Sequence, residues 1–284
     1  MNIVVKQPTQ EVLHDQVGLV LVNHLGSTVT QDTGRDAQLF ADELGLTVVA
    51  VDRPGTHGLI PSRKLRERLS TPSGYVEEMW DKGLEINHEL KEHGIEKTVI
   101  AGRSAAGLGA LAMTVSGAIQ SQKALVVAEP IGCEKLTIAQ AKQRFKDYNA
   151  MQESLQNSDP NIIRPQSNRL PFGQRMSRLG HMAFDFYYDQ FHNGYIWASE
   201  AGLEYAGDIR ADHPVIDTTI EFAEHSLVIQ PEKFDQLNVL NADLQDELHS
   251  FVVRRSANTT HASYNDYRYM ATLLEPVVSR VAAS

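Results

Sequence analysis

Cysteine is almost absent from this chain of 284 residues: Cys133 stands alone, so no intrachain disulfide can form and a buried apolar core has to hold the fold. No apolar run approaches the length that crosses a bilayer. Positive charge is short as well. Twenty-six Lys and Arg face 36 Asp and Glu, for a net charge of -10. That balance argues against nucleic acid and against an anionic membrane surface as partners, since phosphate contacts need clustered cations. The one basic cluster, Arg63, Lys64, Arg66 and Arg68, carries Glu67 within it and reads as a solvated face. No Cys/His spacing suggests zinc and no acidic loop has EF-hand spacing. Gly107-Leu108-Gly109 lacks the third glycine of a dinucleotide turn, so neither cofactor nor metal is expected. Internal repeats and low-complexity tracts are missing too. The opening segment, MNIVVKQPTQEVLHD, has no signal-peptide core, and a cytoplasmic location is the expectation.

What is present is ordinary globular composition, with 42% hydrophobic and 22% charged residues. The first half alternates buried strands with amphipathic helices. Val17–Asn23 is a continuous apolar run, the mark of a strand covered on both faces. A helix follows at Gly34–Leu44, then a strand at Leu46–Asp52 and a helix from Gly74 to His93 with Ser73 as its N-cap. Strand Thr98–Gly102, a small-residue helix from Ala105 to about Ala118 and strand Ala124–Glu129 complete the pattern. Short connections between these units predict a mainly parallel sheet with helices on both faces, an α/β fold. The rhythm breaks near residue 135. Buried-strand patterns return at His225–Gln230 and Ser250–Val253, before a last helix from about Tyr264 to Val281. The expected organisation is a core of residues 1–135 and 221–284, with 136–220 inserted as a largely helical cap.

The segment TVIAG-RSAAG carries the clearest chemistry. It sets Ser104 on a sharp strand-to-helix turn between small neighbours, which lifts a hydroxyl above the sheet edge. The N-terminus of the following helix aims at the same point, and the Ala105 N–H can donate there to a developing oxyanion. Gly102, Arg103, Ser104, Ala105 and Ala106 resemble the G-x-S-x-G nucleophile motif of the α/β-hydrolase fold family, with Ala106 in place of the second glycine. Two further segments carry the resemblance. Asn23, His24, Leu25, Gly26 and Ser27 are similar to the family's HG-x-G-S loop, which assigns a second oxyanion N–H to Leu25. VVAVDRPGTHG, with Asp52, Pro54, Gly55 and Gly58, looks like its next strand and turn. The resemblance covers residues 16–135 and 222–284.

It implies a serine nucleophile, Ser104, and a catalytic histidine after the last strand, where His261 stands among 11 histidines. His225 and His249 read as strand starts, the wrong edge of a parallel sheet for chemistry. For the acid three residues stay open: Asp235 first, in the loop after LVIQ, then Glu129, ending its strand, then Glu232. The implied activity is hydrolysis of an ester, thioester or similar acyl substrate. A C–C bond hydrolase, an acyltransferase and a catalytically degenerate binding protein are the alternatives. Asp-nucleophile chemistry is disfavoured by the serine at position 104. The aromatic run Phe184, Phe186, Tyr187, Tyr188, Phe191, Tyr195 and Trp197 is expected to form the cap's own core or to line a pocket over Ser104. The expected partner is a small molecule, an apolar acyl or aromatic substrate. The oligomeric state is open, a homodimer included.

Overall fold

A computed structural model describes residues 3–23, 32–53, 63–163, 199–229, 233–235 and 250–284. The strands are β1 (Ile3–Lys6), β2 (Val17–Val22), β3 (Thr47–Val51), β4 (Lys97–Arg103), β5 (Gln122–Ala128), β6 (Asp217–His225) and β7 (Phe251–Thr260). They form one sheet in the order β1-β3-β2-β4-β5-β6-β7. Only β1 runs antiparallel, against β3; every other pair is parallel. The helices are α1 (Asp32–Leu44), α2 (Arg63–Leu69), α3 (Pro72–Glu92), α4 (Ala105–Ser116), α5 (Ile138–Ser158), α6 (Ala201–Asp212) and α7 (Tyr267–Ala283).

The period of two along each strand divides the core. Val20, Val22, Ile100, Leu125, Val127, Ile220 and Phe222 face the layer that contains α3, α4 and α6. Their neighbours Leu19, Leu21, Val99, Ala101, Val126 and Ala128 face α1 and α7. Helices on both faces bury β2 and β3 along their whole length and the apolar stretches of β4 and β5, which is why those stretches read as unbroken apolar runs. Among the described residues no helix is long and apolar enough to cross a membrane.

Three expectations need correction. Helix α3 is capped by Thr71, whose side chain accepts the Gly74 N–H at 3.1 Å, and Pro72 fills its first turn, where no N–H is needed. The strand expected at His225–Gln230 lies earlier, at DTTIEFAEH, and its charged residues hid it from a search for apolar runs. Leu227 and Ile229 are buried all the same, 5% and 3% exposed, so the apolar signal marked burial and not a strand. His225 therefore ends β6 rather than starting a strand, while His249 lies outside the described residues. The boundary expected at 220/221 falls inside β6. Helix α6 also belongs to the core: Ala201, Tyr205, Ala206 and Ile209 are buried in the same cluster as α4, and the Tyr205 hydroxyl donates to the Pro72 carbonyl at 2.7 Å.

Candidate active site

Ser104 joins β4 to α4 with φ 53° and ψ −125°, a backbone conformation that costs a residue with a side chain about 1–3 kcal/mol. Close packing imposes it. A Cβ on Gly102 would meet the Ala106 carbonyl oxygen at 2.4 Å, so only glycine fits two places before the serine. The second close approach falls at Gly107, where a Cβ would lie 3.0 Å from Pro130 Cα, and this explains how Ala106 is tolerated. The turn is anchored by its own backbone. Ser104 N–H donates to the Ala128 carbonyl at 2.9 Å, and its carbonyl accepts from Gly107 at 3.0 Å and Ile131 at 3.2 Å. Ala105 opens α4, so its N–H has no acceptor within the helix.

The residue after Ala128 is Glu129. It too has positive φ, 51°, and no solvent exposure. Its Oε1 accepts the Ala223 N–H at 2.8 Å and its Oε2 accepts the Leu227 N–H at 3.3 Å. Oε2 also lies 2.9 Å from Nδ1 of His261. His261 directly follows β7 and begins a single 3₁₀ turn, His261–Asn265, capped reciprocally by Thr260 and Ser263. Arg103, beside the serine, donates through its guanidinium to the Tyr264 carbonyl and ties that turn to the end of β4. Serine, carboxylate and histidine thus sit at the carboxyl ends of β4, β5 and β7, the edge where parallel sheets carry ligands.

Of the three carboxylates considered from sequence, the structure brings Glu129 to His261. Asp235, ranked first, is exposed at the end of a short helical stretch, residues 233–235, whose Phe234 packs against Phe222. No hydrogen bond or ion pair joins Asp235 to His261 among the described residues. The apolar run puts Asp235 first because it predicts a strand to Gln230, whereas β6 ends at His225. Glu232, Leu25 and the aromatic segment 184–197 lie outside the described residues.

Sequence reasoning missed two features. Asn23, which stands in place of a family histidine, donates from Nδ2 to Asp52 at 2.8 Å and accepts the Arg53 N–H at 2.7 Å. It clamps the ends of β2 and β3 together in a fully buried position. Tyr148 of α5 accepts the Ala262 N–H at 3.0 Å, and its ring meets the His261 imidazole edge to face, 6.2 Å between centroids. No spacing rule links residue 148 to residue 261. Beside Tyr148 lies a cavity of about 610 Å³, walled by Arg144, Asp147 and Met151 of α5 and by Ser226 and Ile229. Arg144 makes a two-pronged pair with Glu134 in its wall, at 2.8 and 2.9 Å. Among the described residues no group of three or more His, Cys, Asp or Glu is gathered to hold a metal ion.

No family model and no curated protein matches the chain. Its likeness is to solved structures. The proline iminopeptidase of Mycobacterium smegmatis aligns with a TM-score of 0.57 at 14% identity over 99% of this chain and 95% of its own. An esterase from the archaeon Pyrobaculum calidifontis gives 0.55 at 16% identity over 98% and 78%. A 2-hydroxy-6-oxo-6-phenylhexa-2,4-dienoate hydrolase from Rhodococcus gives 0.55 at 16% over 94% and 91%. The chain has the α/β-hydrolase fold, as its strand order and the turn at Ser104 require.

Proposed function

We propose that this chain is a serine hydrolase that cleaves an ester, thioester or similar acyl substrate through an acyl-enzyme on Ser104. One observation carries the reading: the buried Glu129 holds His261 by Nδ1 while its neighbour Ala128 anchors the backbone of the strained serine. A carboxylate on Nδ1 fixes the tautomer whose Nε2 carries the free lone pair. In the proposed reaction that lone pair takes the Ser104 proton as Oγ bonds to the acyl carbon. The resulting oxyanion is met by the Ala105 N–H, with Leu25 proposed as the second donor. The imidazolium then gives its proton to the leaving group as the acyl–oxygen or acyl–sulfur bond breaks. Water, deprotonated by His261, releases the acid and restores the serine.

The cavity beside Tyr148 is proposed to receive the substrate, with α5 as part of the cap over the site. Its lining mixes Leu136, Met151 and Ile229 with ionic and amide side chains, which suits an acyl substrate that also carries polar groups better than a plain hydrocarbon ester. The test is labelling of the purified chain with a fluorophosphonate, followed by turnover of p-nitrophenyl esters. Wild type should label at Ser104, and Ser104→Ala should lower turnover by about 10⁶. A chain that neither labels nor turns over any ester is a binding module on this fold, and the proposal falls.

A further inference from the structure

We infer that Tyr148 is a positioning residue for His261, by which α5 sets the alignment of the base; this rests on the serine hydrolase reading above. The end of β7 and the histidine turn are tied to the segment that contains α5 by hydrogen bonds. The Ile163 N–H donates to the Asn258 carbonyl at 3.0 Å, the Ser263 hydroxyl donates to the Ile163 carbonyl at 2.7 Å, and the Ala262 N–H donates to the Tyr148 hydroxyl at 3.0 Å. Only the last acts on the residue next to His261, and it comes with a ring packed at 87° to the imidazole.

These contacts complement Glu129. The carboxylate fixes one ring nitrogen but leaves the imidazole free to swing about the Nδ1–Oε2 line. An aromatic edge against the ring closes that freedom, and the Ala262 tie holds the backbone from which the ring projects. Burial pushes the Tyr148 phenol above its usual pKa, so the hydroxyl keeps its proton and the oxygen stays a neutral acceptor for Ala262. Tyr148 also lies in the wall of the cavity proposed for substrate, so α5 borders that cavity and the base with one side chain. A misplacement of about 1 Å in a catalytic group costs on the order of 10² in rate.

The experiment measures saturation labelling of the full chain by a fluorophosphonate, which separates the maximal inactivation rate from the half-saturating concentration without a known substrate. Tyr148→Phe keeps the ring and removes the acceptor, and should slow the maximal rate by about fivefold, the equivalent of one hydrogen bond. Tyr148→Leu removes both contacts and should slow it by about 10². Half-saturation should shift less than about twofold in each, which a collapsed cavity would not allow. Combined with Glu129→Gln, either change should be far less than additive, since both act on one imidazole. Melting curves check folding, and if the Leu variant fails to fold the Phe variant alone decides. If His261→Ala abolishes labelling while Tyr148→Phe labels at the wild-type rate, Tyr148 has no positioning role and the hydrolase reading survives. If His261→Ala labels normally, that reading and this inference fall together.

Discussion

Glu129, just past the end of β5, and Glu221 of the neighbouring β6 are both wholly buried, and the N–H of the first donates to the carbonyl of the second at 2.7 Å. Their surroundings differ in one respect. Glu221 is satisfied by side chains that keep their protons: Arg254 Nε at 2.7 Å, the Ser256 hydroxyl, Tyr269 at 3.3 Å and Tyr264 at 3.5 Å. Burial, reinforced by the Glu221 charge, drives the Tyr264 phenol far above its ordinary pKa, so that donor is permanent. Glu129 has two backbone donors and one side-chain partner, the imidazole of His261. Burial does not separate a structural carboxylate from a candidate catalytic one. The partner does: an imidazole at the sheet edge for Glu129, a guanidinium and hydroxyls for Glu221.

The largest expected effect breaks or upholds this contrast directly. Glu129→Gln presents the wrong group to Nδ1 and should lower kcat on a p-nitrophenyl ester by about 10⁴, with a near-normal melting temperature. A variant within tenfold of wild type, or so, would place Glu129 with Glu221 as a structural group. Glu221→Gln should do the opposite. It weakens an acceptor shared by several buried donors, and urea unfolding should show a loss of about 1–3 kcal/mol while kcat stays within about tenfold. A collapse of kcat at unchanged stability would show that the Glu221 network acts on the histidine turn through Tyr264.

Asp235→Asn tests the exposed carboxylate against both buried ones. It should change kcat by less than about tenfold and stability by no more than about 0.5 kcal/mol. A larger loss of kcat would restore the ranking drawn from sequence. The smallest effect concerns Cys133, which is buried and whose thiol is pushed well above its usual pKa by desolvation first and by the Glu129 charge second. A thiol-specific disulfide reagent should leave it unmodified at pH 8 until urea unfolds the chain. The same protection should persist in Glu129→Gln, because desolvation remains when the charge is gone. Early modification in that variant would mean that it has lost its packing, and its kcat would then say nothing about the acid.

The strands β2 to β5 and the helices between them were readable along the chain because a strand buried on both faces must be apolar throughout. The turn at Ser104 was readable because Gly102 and the small residues after it have to be contiguous for the backbone to close. The resemblance to the family pointed to His261, as the histidine between the last strand and the last helix. Strand β6 was not readable in this way. Its Glu221 and Glu224 side chains are satisfied by β7, α7 and the histidine turn, contacts that exist only after folding, while the apolar LVIQ beside it is buried without being a strand. The carboxylate followed from that error. Asp235 and Glu129 both read as residues near a strand end, and sequence has no measure of which one reaches an imidazole more than a hundred residues away from Glu129 along the chain. Local rules cover what neighbours in the chain impose on each other. The partner of His261, and Tyr148 against its ring, were decided by the tertiary structure, because they depend on where β5, β7 and α5 end in space.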